Sequence, residues 1–175
     1  MSTPTIYFIT EQYLKINTPI TANVDIIEIL PLVKNAAIMW SAHTLGTYFF
    51  EDLLAKYNAM TLNSDETYLV ELMQPSIAWR TCSDAVLELS YQLKNKGVQT
   101  QSGDFSAAAE LKAVQYLSET YGKKAEFYEN RMWQYLRKNK ALFPAFTNPL
   151  NHDSYLINTW DDENRDTFTS SINLF

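Results

Sequence analysis

Three oxygen-bearing side chains near the C-terminus have the spacing with which a calcium-binding loop begins. Asp162, Asn164 and Asp166 stand at alternate positions, and oxygen ligands spaced in this way bind Ca²⁺ in helix-loop-helix sites. The pattern fails at its sixth position, where Thr167 replaces the glycine of the sharp turn. It fails again at its twelfth position, where Asn173 replaces the bidentate glutamate. The sequence therefore predicts no metal site here.

Side chains that commonly act as bases or nucleophiles are scarce. The 175 residues contain two histidines, His43 and His152, and one cysteine, Cys82. His43 ends an apolar helical stretch, where a structural histidine with satisfied hydrogen bonds is typical. Cys82 lies within another apolar stretch, where a small buried hydrophobic role is typical. The chain has no glycine-rich phosphate loop, no Gly-x-Ser-x-Gly elbow, and no paired-cysteine or His-Glu-x-x-His spacing. Because nothing brings together a nucleophile, a base and an orienting group, we predict neither an enzyme nor a cofactor.

Basic residues are concentrated between positions 123 and 140, where six basic and two acidic side chains give a net charge of +4. Interleaved aromatic residues suggest a nucleic-acid surface, but they fall largely on the predicted packing face. The whole chain has a net charge of −6, whereas such binding draws on a positive surplus. Part of the basic bias also complements a helix C-terminus. We interpret four cations as a subunit interface: Lys123, Lys124, Arg131 and Arg137.

Residues 147–175 have no helical period, yet apolar side chains recur along them. A solvated linker would be rich in glycine and serine or uniformly charged. Apolar residues spaced through a polar strip instead indicate a segment that binds another protein's surface. We predict four partner-binding anchors: Tyr155, Trp160, Phe168 and Phe175. The strip carries a net charge of −4, so it can fold back on the basic stretch or pair with a neighbouring copy.

The elements that must position these residues are helices, since the chain has only 4 glycines and 6 prolines and apolar residues recur at helical spacing. Thr10 is the predicted cap of a short first helix. Gly46 is suited to a left-handed helix end and Thr47 to the cap of the next helix. Asn63 and Glu66 have the spacing of a capping box that opens a long helix. A helix around Pro31 either begins there or bends.

Two long helices joined by a short polar loop predict an antiparallel pair. The first is expected to bend near Pro75 and to continue to Lys94, with a packing seam that runs from Trp79 to Leu93. The second is expected to run from about residue 105 to Lys140, with Gly122 as a possible kink. Its predicted packing face comprises Leu111, Val114, Leu117, Tyr121, Ala125, Tyr128, Met132 and Tyr135.

The predicted fold class is therefore all-α. It is a helical bundle with two long antiparallel helices, short N-terminal helices and an extended C-terminal tail. We divide the chain into a helical body, residues 1–146, and an interaction tail, residues 147–175. The N-terminus has no basic flank or long apolar run that would indicate a signal peptide. No stretch approaches the apolar length of a transmembrane helix, so we expect a cytoplasmic origin and no membrane partner.

The region from Ile29 to Phe146 resembles a family of phage proteins that act as head-to-tail connectors, or neck ring adaptors. These proteins occur in phages that infect Bacteroidales, including the crAss-like group. Related chains carry a more polar stretch where this sequence has Met39–His43, and the tail after Phe146 lies outside the shared region. The matching elements are Ile29–Lys34, Leu45–Thr47, Gln74–Ala78, Leu89–Val98, Ala125–Tyr128 and Tyr135–Leu136.

This resemblance implies an all-α structural virion protein that is assembled in the host cytoplasm and located in the virion neck. It implies a closed ring of twelve copies that contacts the portal protein on one side and the next ring or a tail protein on the other. DNA would pass through the bore without specific binding, which an acidic chain favours. The alternative from the residues alone is a cytosolic helical scaffold that binds one partner through its C-terminal tail.

Overall fold

The computed structural model describes residues 7–20, 24–94, 97–100 and 111–154. These residues form an all-α bundle around two long helices, as predicted, with one small β-hairpin between them. In chain order the elements are α1 (Glu11–Asn17), α2 (Ile26–Ala36), a π-helix (Ala37–Ala42), α3 (His43–Leu45), α4 (Thr47–Asn58), α5 (Ser64–Ser90), β1 (Tyr91–Lys94), β2 (Gly97–Thr100), α6 (Leu111–Lys138) and the 3₁₀ turns Lys140–Leu142 and Pro149–Asn151.

Helices α5 and α6 pack against each other in antiparallel orientation. Tyr68 near the start of α5 meets Tyr135 near the end of α6, with ring centroids 4.8 Å apart. Further along, Ser83 Oγ donates to the Ser118 carbonyl over 2.8 Å, and Ser118 Oγ donates to the Ser83 carbonyl over 2.9 Å. Later residues of α5 thus contact earlier residues of α6, so the predicted antiparallel pair is confirmed.

The buried face of α6 differs in part from the predicted one. Leu111 and Leu117 are 53% and 40% exposed, although both were assigned to the packing face. Small residues lie at the contact instead, because they let the two helix backbones approach closely. The buried residues of α6 are Val114, Ser118, Gly122, Ala125, Met132 and Leu136.

Gly122 lies within α6, and the helix continues through it without interruption. A Cβ atom built there would stand 3.6 Å from Ser83 Oγ and 3.7 Å from an Arg80 guanidinium nitrogen, which are ordinary contact distances. The glycine therefore lies in the helix contact without being required by it.

The first long helix ends at Ser90, four residues before the predicted end at Lys94. Strands β1 and β2 follow and pair antiparallel, with Tyr91 opposite Thr100 and Lys94 opposite Gly97. Apolar and polar residues alternate in β1, Tyr-Gln-Leu-Lys, which suits a strand's period of two. The assignment of Leu93 to a helical seam was therefore wrong. Residues 95 and 96 lie outside the described ranges.

Local capping signals gave correct helix starts. Thr10 Oγ1 accepts from the Tyr13 amide over 3.0 Å at the start of α1. The capping box forms as predicted, since the Glu66 amide donates to Asn63 Oδ1 over 2.8 Å and the Asn63 amide donates to Glu66 Oε2 over 3.0 Å. These reciprocal bonds satisfy amides that the first turn of α5 would otherwise leave without partners.

Both prolines considered in the sequence lie inside helices. Helix α2 begins at Ile26 with Asp25 as its cap, so a start at Pro31 was wrong. Helix α5 passes through Pro75 and continues to Ser90. Proline removes one backbone donor but can remain within a helix that tertiary packing stabilises.

The core lies where α2, α4 and α5 meet the residues that follow α6. Phe49 of α4 contacts the rings of Phe143 and Phe146, with centroid distances of 5.9 Å and 5.5 Å. Phe8 packs along α4, with its ring centroid 5.5 Å from that of Phe50 and 5.2 Å from that of Tyr57. Such edge-to-face aromatic contacts add to the free energy of burying the rings. The chain after α6 is thus part of the core.

Candidate assembly surfaces

One side of α6 presents cations and aromatic rings together. Helical spacings of three and four residues place Thr120, Lys124, Phe127 and Arg131 in one row, with Lys123 beside it. These five residues are called the basic aromatic face below. Lys123, Lys124, Phe127 and Arg131 are exposed, while the buried residues of the same helix contact α5. The face therefore points away from the bundle.

Within the described residues no ion pair joins Lys123, Lys124 or Arg131 to a carboxylate. Lys124 Nζ instead lies 4.1 Å from the ring centroid of Trp79, where the ring's negative face attracts the ammonium. Phe127 is 60% exposed.

A shallow depression of ≈ 520 Å³ separates these groups, and it can receive an apolar side chain. Its lining residues are Trp79, Thr120, Lys123, Lys124, Phe127 and Tyr128.

Three of the four predicted interface cations therefore lie on one surface, and the fourth does not. Arg137 is exposed but lies six residues after Arg131, which at 3.6 residues per turn places it about 120° away around the helix axis. A partner seated on Lys123, Lys124 and Arg131 would meet Arg137 only at its edge. The net charge of the stretch was visible in the sequence, but its division between two faces depends on which side of α6 is buried.

The four predicted tail anchors, Tyr155, Trp160, Phe168 and Phe175, lie outside the described residues. The first part of the predicted tail is described, and it packs on the body. Asn151 and Ser154 are fully buried, so the extended tail does not begin at position 147. The reason is chemical, because these polar side chains satisfy the backbone of α3 and α4.

Residues 151–154 cap the start of α4. The Thr47 amide donates to Asp153 Oδ1 over 3.1 Å, and the Phe49 amide donates to Asn151 Oδ1 over 3.0 Å. Thr47 was predicted as the cap of this helix, but it is the first helical residue and receives its cap from a distant segment. Hydrogen bonds from Thr47 lower the pKa of Asp153 below its usual value, which favours the ionised form at the positive end of the helix dipole.

Gly46 directly precedes α4 and has no side chain with which to cap the helix, so the cap comes from elsewhere. Gly46 has φ of +88° and ψ of 144°, a positive-φ backbone that glycine adopts readily. The sign of φ agrees with the prediction, but the ψ angle lies outside the left-handed helical region that was predicted. Ser154 Oγ donates to the Thr44 carbonyl over 2.9 Å, which ties the end of the described chain to the same corner.

A buried charged cluster, missed in the sequence, joins the π-helix to α5 and α6. Arg80 is 8% exposed, and its guanidinium carbon lies 3.7 Å from the ring centroid of Trp40. Its Nη2 lies 3.8 Å from Glu129 Oε2, while Thr44 Oγ1 donates to Glu129 Oε1 over 2.8 Å. Four elements, the π-helix, α3, α5 and α6, thus meet at one ion pair. A single charge in the apolar stretch before Cys82 was the only local signal.

This cluster has unequal hydrogen bonding. Nε and Nη2 of Arg80 have no hydrogen-bond partner within the described part of the chain. Burial raises the pKa of Glu129, and the Thr44 hydrogen bond and the Arg80 charge partly oppose that rise. The cluster therefore fixes the π-helix against the long helices while holding a carboxylate whose charged form is disfavoured.

Cys82 lines an apolar groove of ≈ 440 Å³ between α5, α6 and the segment after α1. Burial raises the pKa of its thiol to about 11, so the thiol stays protonated at neutral pH. In the described ranges no three His, Cys, Asp or Glu side chains are placed to hold a metal ion. No helix among those same residues is long and apolar enough to cross a membrane.

Comparisons with known proteins give one result. Neither the curated proteins nor the solved structures include a match to this chain. A protein-family model matches residues 42–155, about two thirds of the chain, and its description is a family of unknown function, DUF6712. The match begins at the end of the π-helix and ends one residue after Ser154, so it includes the segment that caps α4. The chain belongs to the DUF6712 family.

Proposed function

We propose that this protein is a structural virion protein of a tailed phage, a head-to-tail adaptor that forms a ring in the neck. The ring would lie between the portal and the tail-side proteins, and the genome would pass through its bore. The subunits would be assembled in the host cytoplasm and remain in the virion. The proposal includes no catalytic role, no cofactor and no membrane contact.

The observation that carries the proposal is the basic aromatic face, whose cations form no ion pair within the described residues, on a chain whose net charge is −6. A subunit with a basic surface on one side and acidic surfaces elsewhere can make head-to-tail contacts with identical copies. Such heterologous contacts close into a ring when the rotation between copies allows. Lys123, Lys124 and Arg131 would meet the neighbouring subunit, and the resemblance to neck adaptors implies twelve copies.

The overall charge is compatible with DNA transit. Cations that contact phosphates release counterions and bind DNA without regard to sequence. A bore lined mainly by acidic side chains would avoid that binding, so the genome could slide. The cations on α6 would accordingly face a neighbouring subunit in the ring rather than the bore.

The tail supplies the second kind of contact in this proposal. Because residues 151–154 are hydrogen-bonded to α3 and α4, the partner-binding strip of this proposal begins at Tyr155. Its aromatic residues would bind the portal, the next ring or a tail protein, since buried aromatic residues dominate many interface energies. The anchors would be Tyr155, Trp160, Phe168 and Phe175.

The test is co-expression with the portal protein, followed by electron microscopy of the complex. The expected result is a closed ring on the portal that contains the full-length chain. A variant that ends at Ser154 and the variant Trp160→Ala should lose incorporation, whereas Trp160→Phe should keep most of it. A single unpaired copy on the portal would contradict the ring. Normal incorporation of both the truncated chain and Trp160→Ala would contradict the role of the tail.

A second candidate function is a cytosolic helical scaffold that binds one partner through its C-terminal strip. The hydrogen bond that holds Ser154 on the body favours the scaffold, because a strip attached to one end of a folded body can bind a partner without forming a ring. Stoichiometry separates the two functions. One copy per partner in a purified complex indicates the scaffold, and many copies in a closed ring indicate the neck adaptor.

A further inference from the structure

We infer that the acidic segment 160–166 of the chain's own C-terminus binds the basic aromatic face of α6 in the isolated subunit. This inference concerns one copy and does not rest on the proposed function. Three observations carry it: the place where the described chain ends, the distance from there to the basic aromatic face, and the chemistry of the two surfaces.

The described chain ends beside the middle of α6. Ser154 Oγ donates to the Thr44 carbonyl over 2.9 Å, and Thr44 Oγ1 donates to Glu129 Oε1 over 2.8 Å. Thr44 is therefore hydrogen-bonded to both Ser154 and Glu129. Glu129 lies two residues from Phe127 and Arg131 along the same helix, although it points toward the bundle while they point outward.

The distance around α6 matches the length of chain that follows. A helix with its side chains is about 10–12 Å wide, so a path halfway around it is roughly 16–19 Å. Trp160 is six residues beyond Ser154, and an extended chain of that length spans about 20 Å at 3.3 Å per residue. Thr44 stands between Ser154 and α6 and lengthens this path, so Trp160 reaches the depression between Trp79 and Phe127 with the chain fully extended and the indole pointing inward, and the acidic residues follow it.

The two surfaces are complementary in charge and in shape. Segment 160–166 carries four carboxylates and one cation, with Trp160 at its start. The basic aromatic face offers Lys123, Lys124 and Arg131. Within the described residues, none of these three cations forms an ion pair with a carboxylate. Single exposed ion pairs are weak in water, so the indole must contribute by burying apolar area in the depression beside Phe127. A short tether favours the contact, because it holds the segment at high effective concentration.

The contact has a consequence for self-association. While segment 160–166 covers Lys123 and Arg131, a neighbouring copy cannot use the same cations. Any assembly through the basic aromatic face then requires the segment to leave, and the freed segment becomes available to bind elsewhere.

Disulfide trapping tests the inference in the full-length protein. The pair Thr120→Cys and Asn164→Cys leaves every charge in place, since neither residue is ionisable. The native Cys82 can stay, because it is buried and its high pKa keeps it unreactive. Under mild oxidation we expect a cross-link within one chain, visible as a fast-migrating monomer on a non-reducing gel. Products that join two chains, or no cross-link, would overturn the inference.

Two comparisons make the result specific. Lys123→Gln with Arg131→Gln should slow the cross-link at least roughly fivefold, as should 1 M salt, which screens exposed charges beyond about 3 Å. Neutralising the segment with Asp161→Asn, Asp162→Asn and Glu163→Gln should have the same effect without altering the body. The control pair Thr67→Cys and Asn164→Cys uses an exposed threonine on α5 and should react much more slowly. Equal rates for the two pairs would show random collision and overturn the inference.

Discussion

The carboxamide of Asn151 occupies the space that a side chain at Gly46 would need. A Cβ atom at position 46 would lie 2.2 Å from Asn151 Oδ1. From this place Asn151 Nδ2 donates to the Leu45 carbonyl over 2.8 Å and to the Phe146 carbonyl over 3.1 Å, while Oδ1 accepts from the Phe49 amide. One buried side chain therefore links the end of α3, the start of α4 and the turn after α6.

The first prediction compares Gly46 with Gly122. Gly46→Ala should lower the free energy of unfolding by roughly 3 kcal/mol, because it adds both a positive-φ strain and a steric clash. Gly122→Ala should raise it by about 0.5–1 kcal/mol, because alanine favours the helix and its Cβ meets neighbours at ordinary distances. Urea denaturation of both variants measures the difference. Equal effects of the two substitutions would contradict the assigned roles.

The second prediction concerns Asn151 itself. Asn151→Ala should lower the free energy of unfolding by roughly 2–4 kcal/mol, because it leaves buried backbone groups of Leu45, Phe49 and Phe146 without partners. The neighbouring Leu150→Ala is the control. Leu150 is 64% exposed, so its loss should cost less than about 0.5 kcal/mol. Thermal denaturation followed by circular dichroism measures both variants, and a small effect at Asn151 would contradict the cap.

Signals that act within a few residues predicted the fold well. The capping box of Asn63 and Glu66 involves residues three apart, so its spacing is visible in the sequence, and so is the glycine that ends α3. The cap of α4 was not predictable in this way. It comes from Asp153, which is 106 positions from Thr47 and meets it only in the folded chain.

The spacing of apolar residues alone predicted a packing face on α6 that was wrong in part. It favours large residues such as Leu111 and Leu117, whereas the contact with α5 uses Ser118 and Gly122, where small size matters. The cluster around Arg80 was also out of reach, because its partners come from three elements. One indication was present: Arg80 places a single charge in the apolar stretch before Cys82.

The third prediction follows from the raised pKa of Glu129. Its ordinary value is 4.5, and burial holds the folded value higher. The folded state therefore binds this proton more tightly than the unfolded state. The contribution of Glu129 to stability must then fall as the pH rises from 4.5 through the folded pKa.

Thr44→Val tests this linkage. The valine removes the hydroxyl that donates to Glu129, so the pKa of Glu129 should rise further. The stability deficit of the variant should accordingly be smaller at pH 4 than at pH 7, as measured by urea denaturation. Thr120→Val is the matched control, because its hydroxyl donates to the Tyr116 carbonyl and not to a carboxylate. A Thr44→Val deficit that is constant with pH would contradict the coupling to Glu129.

The fourth prediction tests whether the basic aromatic face carries assembly. The double variant Lys123→Glu and Arg131→Glu should fold normally, because both side chains are exposed and surface charges contribute little to stability. It should nevertheless lose at least about tenfold in incorporation into portal complexes, because like charges would oppose the acidic surface of the next subunit. Lys34→Glu makes the same change at an exposed position on α2 and should incorporate normally. If the double variant and Lys34→Glu assemble equally well, the subunit contact does not use this side of α6.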